Sequence, residues 1–170
     1  MADDNQDGTP WAEVARVLGA LGTAACRVWV AGGWGVDTLV GRQTRPHRDL
    51  DLAVHADDEA AVVVVLEHLG YRVATDWRPV RVELVAPGRG RVDLHPVAFD
   101  ARGHGHQADH DGGHFAYPRA AFAVATLHGV VVPCLSAEQQ VRFHQGYEPR
   151  EVDLHDLGLL ADLADPPVPS

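Results

Sequence analysis

Apolar residues recur along this chain at two different spacings, and the changes of period mark out its elements. Trp11, Val14, Ala15, Leu18 and Leu21 repeat every three to four positions. They predict an amphipathic helix, opened by Thr9 as N-cap with Pro10 at the first helical position and closed at Gly22. Residues 27–31 are a short apolar run that predicts a buried strand, 34–40 a short helix, and 50–54 a second strand. Asp57, Asp58 and Glu59 put negative charge on the first turn of a helix reaching about Leu69, where Gly70 stops it. Strands are predicted over 71–75, 81–86 and 91–99. Pro87-Gly88-Arg89-Gly90 makes a tight turn between the last two.

Residues 101–113 read as a polar loop rich in Gly, His and Asp. Strands over 121–127 and 130–133, joined by His128-Gly129, follow it. Ser136 with Gln139 predicts a capping box opening a helix to about His144. Glu148-Pro149 begins a last helix containing Leu154, Leu157, Leu160 and Leu163. Residues 1–8 and 166–170 read as a disordered lead-in and a tail. Strands and helices alternate early and strands cluster late. The fold class expected is α/β (α+β), a mixed central sheet with flanking helices and C-terminal helices. The expected division is a core over 9–134 and a C-terminal helical segment over 135–165 packed on it.

Composition narrows the function classes. A chain of 170 residues buries enough surface to fold without staples. The two cysteines, Cys26 and Cys134, sit in apolar contexts outside any metal or redox spacing, so core packing in a reducing cytoplasm is expected. The first residues are acidic and polar, unlike a secretory leader, and no apolar run is long enough for a membrane. The formal net charge of −10 opposes nonspecific nucleic-acid binding and tolerates a cationic small molecule.

The chemistry concentrates in two short stretches. Gly32-Gly33-Trp34-Gly35 follows the strand Val28-Trp29-Val30-Ala31. Glycines there let a phosphate approach the backbone, and the helix behind them offers free N–H groups and a positive end. Arg45-Pro46-His47-Arg48-Asp49-Leu50-Asp51 then leads into the next strand. Asp49 and Asp51, two apart on a strand, face one side at about 6–7 Å between Cα atoms. Such a pair suits Mg²⁺, which takes carboxylate, water and phosphate oxygens. On the strand over 91–99, Arg91, Asp93 and His95 share a face. Asp93 offers a third carboxylate, and Glu83, across the turn, a fourth candidate. One of these can act as general base on an acceptor hydroxyl. His104, His106, His110 and His114 crowd the polar loop without the spacing or cysteines of a zinc module. Trp34 and Trp77 are candidates for stacking on a ligand.

These residues resemble the lincosamide nucleotidyltransferases of the polymerase-β-like superfamily, and the related aminoglycoside 2''-nucleotidyltransferases. Four segments carry the resemblance: Gly32-Gly33-Trp34-Gly35-Val36-Asp37; Thr44 to Asp51; Val92-Asp93-Leu94-His95-Pro96; and Val132-Pro133-Cys134-Leu135-Ser136, running on to His144-Gln145-Gly146-Tyr147 and through Asp153 and Asp156. The resemblance implies a polymerase-β-like nucleotidyltransferase fold and metal-binding by Asp49, Asp51 and Asp93. It implies a nucleotide-binding turn of Gly32, Gly33 and Trp34. Arg42, Arg45 and His47 would lie on the phosphate side, with His144 and Tyr147 closing the site from the C-terminal helices.

The activity implied is magnesium-dependent transfer of a nucleoside monophosphate, AMP from ATP, to a hydroxyl of a lincosamide-type antibiotic, with two Mg²⁺ ions. An aminoglycoside acceptor, a toxin-like enzyme acting on a macromolecule, and a nucleotide-binding module without turnover are the alternatives. A small-molecule acceptor and an NTP are the partners expected. A homodimer is also compatible with the reading.

Overall fold

The computed structural model describes residues 8–164, so the lead-in over 1–7 and the tail over 165–170 lie outside the described residues. The elements are α1 (Trp11–Thr23), β1 (Val28–Ala31), α2 (Gly32–Val40), β2 (Leu50–His55), α3 (Glu59–His68), β3 (Arg72–Trp77), β4 (Arg81–Ala86) and β5 (Gly90–Phe99). They continue with β6 (Gly105–Ala108), β7 (His114–Tyr117), β8 (Phe122–Leu127), β9 (Val130–Leu135), α4 (Ala137–Phe143) and α5 (Glu151–Ala164). The central sheet runs in the order β3-β4-β5-β2-β1-β9-β8. It is mixed: β2 is parallel to β5 and β1 to β9, and the remaining pairs along that order are antiparallel.

Strand alternation separates the two faces cleanly. Leu50, Leu52 and Val54 of β2, Val82 and Leu84 of β4, and Val92 and Leu94 of β5 are wholly buried in one core with Val14, Val17 and Leu21 of α1 and Val62 and Leu66 of α3. The intervening residues, Asp51, Glu83 and Asp93, therefore face the other side. A smaller cluster of Ala31, Ala53, Val97, Tyr117, Ala121 and Leu135 covers the far part of that second face.

Four expectations need correction. The first concerns Thr9, which does not cap α1; Pro10 holds the N-cap position, with no side-chain cap. Thr9 instead joins three segments. Its hydroxyl lies 3.1 Å from the Arg48 carbonyl and 3.2 Å from the Arg91 carbonyl, and accepts the Arg91 N–H at 3.0 Å. Its carbonyl accepts the Trp34 indole N–H at 3.1 Å. The second concerns the polar loop over 101–113. Residues 105–113 of it are the first strand and the turn of a β6–β7 hairpin that extends β5 through Ala98 and Phe99. Its Gly, His and Asp content masked a strand of only four residues, Gly105–Ala108.

The third concerns Ser136, which accepts the Gln139 N–H at 3.3 Å, while the Gln139 side chain leaves the capping box to reach the Ala116 carbonyl. The fourth concerns the last helix, which starts at Glu151 and buries Asp153, Asp156 and Leu160. Leu154 is 57% exposed and Leu163 42%. The acidic residues face inward because Arg150 and Arg45 meet them there. The division expected after residue 134 falls inside β9, which ends at Leu135.

Thr9→Val is expected to destabilise the fold by about 1–3 kcal/mol, because it keeps the shape but leaves the part-buried Arg91 N–H without its acceptor. Urea denaturation measures this. Thr9→Ser should recover most of the loss, and a Val variant as stable as the parent would refute the bridging role.

Candidate active site

The site is built on a row of residues at one level of the sheet. Ala31 of β1 pairs with Asp51 of β2, Asp51 with Asp93 of β5, Asp93 with Glu83 of β4, and Glu83 with Thr75 of β3. Adjacent strands lie about 4.7–4.9 Å apart, so this register alone sets three carboxylates side by side. Asp49, just before β2, stands next to them, since the charge of Asp51 and that of Glu83 both act on it.

Crowded like charges raise proton affinity. Burial and then the charge of Asp51 push Asp93 up to about 6, against the pull of His95 and Arg81. Burial and the charge of Asp51 likewise raise Asp49. Burial pulls His95 down, but its hydrogen bond to Asp51 and the nearby carboxylates outweigh this and hold the imidazole above its usual value.

The partners of each group are specific. His95 Nε2 meets Asp51 Oδ1 at 3.1 Å, and Gln107 Nε2 lies 3.3 Å from His95 Nδ1. The buried Tyr117 hydroxyl donates to Gln107 in turn. The β6–β7 hairpin thus holds the imidazole that holds Asp51. Arg81 reaches Asp93 Oδ2 at 3.1 Å and stacks over Trp77. Glu83 Oε1 accepts the Thr75 hydroxyl at 3.2 Å, while its Oε2 is 3.8 Å from Arg91, beyond a hydrogen bond.

A cation fits this set. Asp51, Asp93 and His95 each offer a donor atom within 4.8 Å of the others. Asp93 Oδ1 is buried with no hydrogen-bond partner, an acceptor that a bound cation would satisfy. Two carboxylates with further acidic neighbours favour a hard, oxygen-preferring ion.

Beside the carboxylates, α2 begins at Gly32-Gly33. Gly32 has φ +58°, and a Cβ there would overlap the Asp51 carboxylate. A Cβ on Gly33 would overlap the His47 ring and the Arg45 guanidinium. These glycines therefore let charged side chains close over the turn. Arg45 is gripped by Asp156 through two bonds of 3.0 and 2.7 Å. His47 is buried against Asp37, which also accepts from Thr44.

Between this turn, the hairpin and the α4–α5 segment lies a cleft of about 570 Å³. Arg45, Arg48 and Arg150 give its lining positive charge, His47 also lines it, and Phe115, Tyr117 and Phe143 supply aromatic surface. Gly32, Gly33, Asp49, Asp51, His144 and Tyr147 also line it. Asp93 and Glu83 adjoin this lining through Asp51, their neighbour in the sheet row.

Two expected nucleotide contacts fall elsewhere. Trp34 is 1% exposed and packs in the core against Trp11 and His47, because its indole is drawn to the Thr9 carbonyl. Arg42 is exposed beyond the end of α2 and does not line the cleft. The role of His95 and the contributions of Gln107, Arg81, Arg150 and Asp156 were missed. His95 was marked by its position two residues from Asp93. Gln107, Arg81 and Asp156 carried no local signal, since their partners are 12 to 111 residues away, whereas Arg150 meets Asp153 only three residues on.

A family model described as aminoglycoside-2''-adenylyltransferase matches residues 13–160. The chain belongs to this family. It is therefore a nucleotidyltransferase, with the polymerase-β-like fold expected. It is 37% identical over 129 residues to a lincosamide resistance protein of Staphylococcus haemolyticus, covering 76% of this chain and 80% of that one. Its fold matches the crystal structure of the lincosamide antibiotic adenylyltransferase LnuA with lincomycin bound, at a TM-score of 0.84 and 33% identity, over 92% of this chain and 99% of that one. The fold of ANT(2'')-Ia, solved with adenylyl-2''-tobramycin, matches at a TM-score of 0.69 and 22% identity, over 88% of this chain and 86% of that one.

Gly33→Val is expected to weaken nucleotide binding about tenfold or more, or about 1.4 kcal/mol, by displacing Arg45 and His47. Titration with a fluorescent nucleotide reads the loss. Unchanged affinity in a folded variant would contradict this role for the turn.

Proposed function

We propose that this enzyme moves AMP from ATP to a hydroxyl of a lincosamide-type antibiotic, releasing pyrophosphate, with magnesium as the required cation. The observation that carries the reaction is the row Asp51–Asp93–Glu83 set beside the N-terminus of α2. Likeness to the Staphylococcus haemolyticus protein and to the lincomycin-bound structure supports the acceptor class. The description of the family model supports an aminoglycoside as the second reading.

In this reading Asp49, Asp51 and Asp93 hold the metal. When bound, magnesium neutralises phosphate charge and steadies the leaving pyrophosphate. The α2 N-terminus with Arg45, Arg48 and Arg150 receives the phosphates, since free N–H groups and guanidinium forks both suit anionic oxygens. His144 and Tyr147, hydrogen-bonded to each other at 2.7 Å, close the nucleotide site from the C-terminal side. The acceptor oxygen attacks the α-phosphorus as the bond to pyrophosphate breaks, and its proton passes to Glu83. Glu83 suits that role because its Oε2 makes no hydrogen bond. No helix among the described residues is long and apolar enough to cross a membrane. The location proposed for this ATP-consuming chemistry is the cytoplasm.

Pyrophosphate release across a panel of antibiotics, with ATP and magnesium, tests the reading. Turnover with lincomycin or clindamycin is expected. Turnover with aminoglycosides alone would move the assignment to the second reading, and release with neither would reject both.

Two further outcomes follow from the roles. Asp49→Asn and Asp51→Asn should each cost at least ~100-fold in turnover, since a misplaced charge at a phosphoryl-transfer centre costs several kcal/mol. Retained activity in both would rule out metal binding by this pair. Glu83→Gln should lower turnover while magnesium dependence persists, whereas Asp93→Asn should shift the magnesium requirement upward as well. An Asp93→Asn enzyme with an unchanged magnesium profile would transfer the base role to Asp93.

A further inference from the structure

Two roles are open to the His95 imidazole, and they exclude each other. Its ring offers a donor atom within 4.8 Å of carboxylate oxygens of Asp51 and Asp93, the spacing of a shared cation. Nδ1 is taken up by Gln107, so Nε2 is the atom at stake. Yet Nε2 also meets Asp51 Oδ1 at 3.1 Å, a hydrogen bond that places a proton on it. A ring nitrogen that carries a proton has no lone pair left for a metal.

The other ring nitrogen decides between the two roles. Gln107 Nε2 lies 3.3 Å from His95 Nδ1. A donor placed there makes Nδ1 an acceptor and leaves the ring proton on Nε2. Tyr117 sets the orientation of the amide, because its hydroxyl donates to Gln107 Oε1. Burial pushes this phenol up, so it keeps its proton. Turning the amide over would not free Nε2. Gln107 Oε1 would then accept a proton from Nδ1, and Nε2 would need a second one to meet the Asp51 carboxylate.

The relay is held firmly. Gln107 and Tyr117 are both buried. The Tyr117 ring stacks on Phe122 at 5.6 Å and meets Phe143 edge-on at 5.4 Å. Gly105 lets β6 close on β5, since a Cβ there would overlap the Val97 side chain. With Oδ1 bound to His95, the second oxygen of Asp51 lies against Gly32, at the start of α2.

We propose that Gln107 and Tyr117 are positioning residues that select the metal without touching it. They fix His95 as a hydrogen-bond donor to Asp51, so the cation site presents carboxylate oxygens alone and Asp51 turns Oδ2 toward the glycine turn. This role rests on the assignment of Asp51 and Asp93 to the metal. Oxygen donors suit magnesium, whereas an imidazole joined to two carboxylates would suit zinc and its transition-metal neighbours.

Manganese(II), whose free ion is read by electron paramagnetic resonance, would be bound to the parent, Gln107→Leu and Tyr117→Phe. Magnesium and zinc would then be competed against it, so that only the manganese site is counted. Circular dichroism verifies each fold, and Gln107→Met replaces a Leu variant that does not fold. Magnesium affinity is expected to fall about 10-fold or more in Gln107→Leu and by less in Tyr117→Phe, while zinc affinity holds or rises. Two-bond ¹H–¹⁵N NMR of the parent, above the imidazole titration, should show the His95 proton on Nε2 with and without magnesium. Unchanged magnesium affinity in Gln107→Leu would overturn the role. So would equal weakening of both metals, which marks a structural loss, or a ring proton found on Nδ1 or lost from Nε2 when magnesium binds. A parent that binds no cation at all would reject the metal assignment and this role with it. A parent that binds magnesium no better than the variants rejects the relay alone.

Discussion

Like charges held at one level of a sheet are the constraint around which this protein is arranged. Asp51, Asp93 and Glu83 sit on three adjacent strands, and strand spacing does not let them part. Without a cation their mutual repulsion and burial oppose folding, which is why Asp93 is pushed up to about 6 and Asp49 is raised. The fold offsets this locally. Arg81 takes one oxygen of Asp93, and His95 takes one oxygen of Asp51. Gly32 supplies the space that Asp51 occupies, at the cost of a left-handed backbone at the start of α2.

The surroundings of the row follow from that need. The buried hydrophobic face of β2, β4 and β5 locks the register, because a slip of one residue would turn the carboxylates into the core. Thr9 ties the chain before β2 to the start of β5, so the two aspartate-bearing strands enter the sheet at a fixed level. The C-terminal helix turns Asp153 and Asp156 inward to orient Arg150 and Arg45 toward the cleft. The positive wall of the cleft is thus held in place by acidic residues of α5.

Short-range pattern carried much of this into the sequence. The period-two alternation in Arg91-Val92-Asp93-Leu94-His95 placed Asp93 on the polar face, and the glycine pair marked the start of α2 correctly to within two residues. What stayed hidden depends on distant partners. Trp34 reads as a ligand platform only until the Thr9 carbonyl is known to hold its indole. The leucines of α5 suggested an apolar inner face, yet ion pairs with Arg150 and Arg45 turned Asp153 and Asp156 inward. The β6–β7 hairpin was lost because strand propensity is weak in Gly-His-Gln-Ala, and pairing with β7 and with Ala98 and Phe99 of β5 makes it a strand.

Thermal denaturation of Asp49→Asn with and without magnesium tests most directly whether the carboxylate row is a strained cation site. Asp49 is half-buried, forms no ion pair among the described residues and is opposed by the charge of Asp51, so neutralising it removes repulsion. In metal-free buffer the variant should melt at the same temperature as the parent or a few degrees higher, about 2–4 °C for each kcal/mol relieved. Magnesium should raise the melting temperature of the parent and leave that of the variant nearly unchanged. A clear fall in the metal-free melting temperature, or an undiminished response to magnesium, would contradict the account.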